Sequence, residues 1–338
     1  MKSQSSDAYL RVHFLRIFVF VALLLCITYG FHYYIYLKHF SAGLLSAYLF
    51  LLMFFPCLLA LALSFLWDEN FSWAPFKLGK PRFYGWVSGV ILAALVITAF
   101  FLYLGGVSSA DWRLMKYKEK ISLGFEERSG SVLNESEEDD SRKAPLIQKK
   151  SSKQLNQDIQ TYLQLSPLSF FFLTFFRFHV FGVLLGLIPA VGQEIVWRVF
   201  LQIKLLNYGK VTGFTLLGLI WSFWNLPFVW QGVYFSGDMI WGSVGIFIMG
   251  WSFSIIFGYF YFESGSIWVS AFGFSLYQQA VEFFKILFPA NGMKSLIELG
   301  ATIPLLILAV FLIQRMSLKK LGIDPIQKLA ERAIIVDQ

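Results

Sequence analysis

The stretch FYGWVSGVILAALVITAFFLYLGG, residues 83–106, carries no charged side chain. At 1.5 Å of rise per residue, a helix of this length crosses a hydrocarbon layer of about 30 Å. Two more apolar runs precede it, at 14–36 and 41–66. Others follow at 167–190, 193–208, 211–233, 239–260, 265–288 and 298–315. Some of these are short or separated by only a few polar residues. The pattern therefore predicts an all-α polytopic membrane protein with eight or nine membrane segments, eight being the preferred number. A retained first helix is expected: Arg11 and Arg16 lie at its start, but no small-residue cleavage pattern follows it.

Composition points the same way. Of 338 residues 57% are hydrophobic, 38 are Phe, and only 14% are charged, against about 25% in a soluble domain. Lipid is the solvent that tolerates such a surface. The net charge of +7 comes from basic residues at the edges of apolar runs and in one polar loop. With no zinc finger, RNA-binding motif or phosphate loop, nucleic acid is not expected as a partner; membrane lipids, with anionic headgroups, are. The expected location is a multi-pass position in the cell (inner or plasma) membrane. Cys26 and Cys57 both lie in apolar runs and read as free buried thiols.

Four regions follow. Residues 1–106 hold the N-terminal membrane helices, behind a polar and mobile stretch at 1–13. Residues 107–165 include MKYKEK, NESEEDD and QKKSSKQ and read as a partly disordered extramembrane loop. Residues 166–315 form a second set of membrane segments, and 316–338 a tail that begins with basic residues.

Within the second set, PAVGQEIVWRVFLQ (189–202) places Glu194 and Arg198 four residues apart, on one helix face. Charges in hydrocarbon are costly, and pairing reduces the cost. The spacing fits a structural ion pair and a polar chamber equally well. Gln193 adjoins the pair, Asn225 lies in WSFWNLP (221–227), and Gln278, Gln279 and Glu282 lie in one later segment. Convergence of these segments would make a polar pocket. Alternatively each group only ties helices together.

The order and spacing of these stretches over about 167–290 resemble the CPBP family, intramembrane metalloproteases related to the CAAX prenyl protease. Its EExxxR motif corresponds to QEIVWRVF, with Gln193 at the first Glu, Glu194 at the second and Arg198 at the Arg. Its aromatic-then-His motif corresponds to WSFWNLP, with Trp221 at the aromatic and Asn225 at the His. Its third motif corresponds to GSIWVSAFGFSLYQ (265–278), with Phe274 at the His and Gln278 at the Asn. The resemblance implies an all-helical core of about eight spans. It also implies a site at Gln193, Glu194, Arg198, Asn225 and Gln278, and substrates that are membrane-embedded or lipidated peptides. In peptide-cleaving members the first Glu and first His activate water, and the last His and Asn support the oxyanion, with a metal implicated.

The residues present alter that chemistry. Gln193 and Asn225 are not proton acceptors of the usual kind, and Phe274 offers neither donor nor ligand. Glu194 remains as a base, Arg198 as its orienting partner and Gln278 as an amide donor. Zinc is implied by the resemblance alone, and its ligands are largely replaced. Of the four histidines, His13, His32 and His39 lie in the N-terminal part, and His179 precedes Glu194 by 15 residues across an expected turn. Three functions follow as expectations: a non-catalytic relative that binds membrane peptides or proteins, an active endopeptidase using Glu194 as base, and, less favoured, a transporter.

Overall fold

The computed structural model describes residues 2–38, 48, 50–67, 76–104, 167–235, 239–287 and 294–316. The loop expected at 107–165 and nearly all of the tail lie outside these residues. The described residues form helices and their connections. We label them α1 (Lys2–Lys38), α2 (Phe55–Leu66), α3 (Pro81–Leu104), α4 (167–206), α5 (Lys210–Trp230), α6 (Met239–Ser264), α7 (Ile267–Leu287) and α8 (Lys294–Arg315). Among the described residues, six helical stretches are long and apolar enough to cross a bilayer: Phe14–Lys38, Pro81–Leu104, Phe171–Leu206, Lys210–Trp230, Met239–Ser264 and Ile297–Arg315. Phe50–Leu66 is a shorter apolar helix. α7 has the length but carries Gln278, Gln279, Glu282 and Lys285. Residues 2–13, expected to be mobile, belong to the first helix.

Lipid-facing and core-facing surfaces are both apolar. On α3, Phe83, Val87, Ile91, Ala94, Leu95 and Thr98 are buried, at the three- and four-residue steps of one helix face. Trp86, Leu92, Val96, Phe100 and Phe101 on the same helix are exposed. A helix apolar all round with one buried stripe is what a membrane span requires. One core joins the N-terminal helices to the later ones: Phe20 of α1 meets Phe200 of α4 at 4.8 Å between ring centroids, and Val87 of α3 lies where a Cβ on Gly273 of α7 would sit.

The segments expected at 167–190 and 193–208 are one helix. α4 passes through two π-helical stretches, Arg177–Gly182 and Ile195–Gln202, and every junction keeps right-handed helical dihedrals. No positive-φ glycine interrupts 186–192, so there is no turn there. Gln193 and Glu194 are buried against protein rather than placed at a surface break. Pro189 sits inside this helix and removes one backbone donor. The real breaks fall at Gly209 (φ 107°), before α5, and Gly265 (φ 64°), between α6 and α7, where left-handed backbone favours glycine.

Helices α5 and α6 approach most closely through small residues, as lipid-solvated helices do when dispersion and hydrogen bonds drive association. A Cβ on Gly218 would lie 2.7 Å from Trp251 Cα, and one on Gly250 would lie 2.8 Å from the Gly218 carbonyl oxygen. Ser222 spans the contact, its one hydroxyl proton shared between Gly218 O at 2.7 Å and Ile246 O at 3.0 Å. Gly218→Ala should therefore destabilise the protein by about 1–3 kcal/mol through overpacking. Gly89→Ala, on α3 with nothing within 4 Å of the new Cβ, should be neutral or gain up to about 1 kcal/mol. Unfolding in micelles or bicelles compares the two.

Candidate functional site

The second π stretch of α4 carries the charged pair. Glu194 is the residue before it and Arg198 lies within it. Both are buried, at 2% and 3% exposure. Arg198 Nε donates to Glu194 Oε2 at 2.7 Å, and Nη1 donates to Gln202 Oε1 at 2.8 Å. The same guanidinium reaches across to α6, donating to Ser254 O at 3.1 Å and Phe253 O at 3.3 Å. Arg198 thus fills a hydrogen-bond hub that a lysine could not reproduce, because the fork is planar and multidentate.

Glu194 and Arg198 line a small space with Trp197, Leu217, Trp221, Gly250, Phe253, Ser254, Phe257 and Phe274. Its volume is about 10 Å³, room for roughly one water molecule. A second cavity, of about 200 Å³, opens beside it. It is lined by Met53 before α2, by Val233, Tyr234 and Phe235 from the connection after α5, and by Met249 and Phe253 of α6. Phe274, Tyr277, Gln278, Gln279, Val281 and Glu282 of α7 and Glu298 of α8 complete it.

The expected site residues are therefore divided. Glu194 and Arg198 share the small space, and Gln278 lines the large one. Asn225 lines neither and donates back to Trp221 O at 2.8 Å on its own helix. Gln193 is buried but also lines neither. A single polar pocket was one of the two expectations; two spaces are found, and they share Phe253 and Phe274 as walls. These rings meet each other edge-on at 6.0 Å, and both meet Trp221, at 5.8 and 6.3 Å. The segments do converge. Aromatic rings fill the place where their polar groups would meet.

His179 does not reach the pair. It lies on the same helix as Glu194, 15 residues away, so roughly 22 Å along the axis. It stacks on Phe175 at 4.3 Å and meets Phe283 edge-on at 5.1 Å. Buried His32 packs edge-on against Phe228 at 4.5 Å. Among the described residues no three His, Cys, Asp or Glu side chains gather closely enough to hold a metal ion. The donors around Glu194 therefore do not fit a zinc site.

Three features were not singled out in the sequence. Gln202 extends the Glu194 and Arg198 ladder by another four residues, a repeat that was readable. Glu298 is the only carboxylate in Ile297–Arg315, which is itself a signal inside a membrane. It pairs with Lys285 at 2.5 Å and accepts the Phe235 N–H. Lys285 also pairs with Glu282 at 2.6 Å. Phe235 holds φ at 47°, an uncommon conformation for a non-glycine residue, with its amide bound to the Glu298 carboxylate. Beside it, Tyr234 accepts from Gln278 Nε2 at 2.9 Å. Burial, and then the charges of Glu298 and Glu282, push the Tyr234 phenol upward, so it stays protonated at neutral pH.

Removing one member of a buried pair leaves the other uncompensated. Arg198→Met should cost about 3–5 kcal/mol on that ground, and adding Glu194→Gln to it should recover part of the loss. Chemical unfolding of the single and double variants in micelles reads the difference.

Comparison with known proteins bears on the same residues. Residues 175–278 match the family model described as Type II CAAX prenyl endopeptidase Rce1-like. No curated protein and no solved structure matches the chain. The matched stretch begins in α4, ends at Gln278 and contains Glu194, Arg198, Trp221, Asn225 and Phe274. The chain is thus a polytopic helical membrane protein whose 175–278 segment is similar to the Rce1-like family of CAAX prenyl endopeptidases.

Proposed function

We propose that this protein is a non-catalytic CAAX-protease-like membrane protein that binds membrane-embedded or lipidated peptides or proteins in the cell membrane. The observation that carries the reading is the aromatic partition. Phe253 and Phe274 lie between the space that holds Glu194 and the cavity that holds Gln278. Hydrolysis needs a base and an oxyanion donor that address one reacting carbonyl, each within about 3 Å of its target. Here the carboxylate is engaged by Arg198, and the amide donates to Tyr234. The replaced positions act in the same direction: Phe274 neither donates nor ligates, and Asn225 is turned back on its own helix.

One observation favours a second reading, an endopeptidase with Glu194 as base. The carboxylate is retained, and the space beside it admits about one water. In that reading the Phe274 ring would have to swing aside to bring substrate, water and carboxylate together.

Cleavage assays separate the two. Purified full-length protein in nanodiscs is incubated with lipidated peptides and with membrane-embedded peptides, beside Glu194→Gln. The expected result is no hydrolysis by either protein above that of empty nanodiscs. Hydrolysis by the parent that falls by about 100-fold or more in Glu194→Gln, as for loss of a general base, overturns the non-catalytic reading.

A further inference from the structure

The 200 Å³ cavity differs from the space around Glu194 in size, charge and access. An apolar cavity of ~150 Å³ admits benzene, so this one has room for a six-membered ring and a short arm. Its inner wall is apolar: Met53, Met249, Phe253, Phe274 and Val281. Its polar side carries two carboxylates. Glu298 is buried, whereas the Glu282 side chain is 51% exposed and marks the mouth.

Among the described side chains, the charges at that end do not balance. Lys285 pairs with both Glu282 and Glu298, so two carboxylates share one ammonium. Lys285 does not line the cavity, and the carboxylates do. An occupant therefore meets the anionic side of the triad, next to a low-dielectric interior where an uncompensated charge is costly. The geometry around them is fixed in advance. The Phe235 amide, held on Glu298, locks the connection that forms one wall, and Gln278 ties Tyr234 to α7.

We infer that this cavity binds a small hydrophobic amine, with its apolar body against Met249, Phe253 and Phe274 and its ammonium at Glu282. The ammonium completes an alternating set of two cations and two anions. A carboxylate of the same shape would face two like charges, and an alcohol would leave the excess charge in place. Size and shape favour a free amine over an aminolipid. A lipid ammonium is carried on a polar phosphate arm, and that arm has no cationic partner among the residues lining this cavity. The inference goes beyond the peptide-binding reading and does not depend on whether Glu194 is catalytic.

The test uses the full chain in phosphatidylcholine nanodiscs at pH 7, with equilibrium dialysis corrected by empty discs for partitioning into lipid. The probe is phenethylammonium, compared with 2-phenylethanol and 3-phenylpropionate. The expected result is saturable binding of the ammonium, about tenfold tighter than the alcohol, a difference of roughly 1.4 kcal/mol, and no saturable binding of the carboxylate. Glu282→Gln, at a half-exposed position that a fold should tolerate, should weaken the ammonium about tenfold without affecting the alcohol. Met249→Trp, which fills the cavity, should abolish both. Equal affinity for ammonium and alcohol, or ammonium binding unchanged in Glu282→Gln, overturns the inference. So does displacement of the probe by phosphatidylethanolamine added to the discs, since that assigns the site to a lipid headgroup. Glu194-dependent hydrolysis would overturn the non-catalytic reading and leave this result standing.

Discussion

The guanidinium of Arg198 ties the two halves of the matched segment together. It binds Glu194 and Gln202 on its own helix and the carbonyls of Phe253 and Ser254 on α6. Inside a bilayer there is no water to satisfy such groups if the helices part. Separating α4 from α6 would leave both the cation and two carbonyls without partners. The requirement that each buried polar atom keep its partner therefore fixes how α4 is rotated against α6. Other contacts at this junction obey the same rule: Ser254 donates to Phe214 O of α5, and Ser270 of α7 donates to Phe257 O of α6.

Around that anchor the interior is divided by aromatic rings. Phe253 is placed by the helix whose carbonyls Arg198 binds, so the ion-pair hub and the partition share one structural cause. Phe253 contacts Phe257 at 4.9 Å and Tyr277 at 4.8 Å between centroids. With Trp221 and Phe274 they form a cluster of mostly edge-on contacts, the arrangement that aromatic quadrupoles favour. A histidine in place of Phe274 would bring a donor and ligand to the shared wall of both spaces. Phenylalanine brings only packing. Hub and partition therefore stand or fall together.

Much of this was legible from the sequence. The i, i+4 spacing of Glu194 and Arg198 gave a shared face, and the structure pairs them. The three motif stretches were readable as neighbours because their order and spacing are local properties. Three things were not. The turn expected near 190–193 does not exist, because Gln193 and Glu194 are polar yet buried, and polarity alone suggests a surface break. The role of Asn225 was open because an amide can face a cavity or bond back to its own helix, and only the packing around it selects the second. Glu298 and Lys285 stood 13 residues apart on different helices, beyond any local spacing rule.

Hydropathy determined the fold class by itself, since the cost of placing a residue in hydrocarbon is paid residue by residue and can be summed along the chain. Tertiary structure alone decided which polar groups share a space. Two π-helical stretches in α4 shift the phase of the side chains that follow them, and each helix rotates to satisfy its buried donors and acceptors. Such rotations depend on partners distant in sequence, so the division between Glu194 and Gln278, and the carboxylate-lined cavity beside it, exist only once the helices are packed.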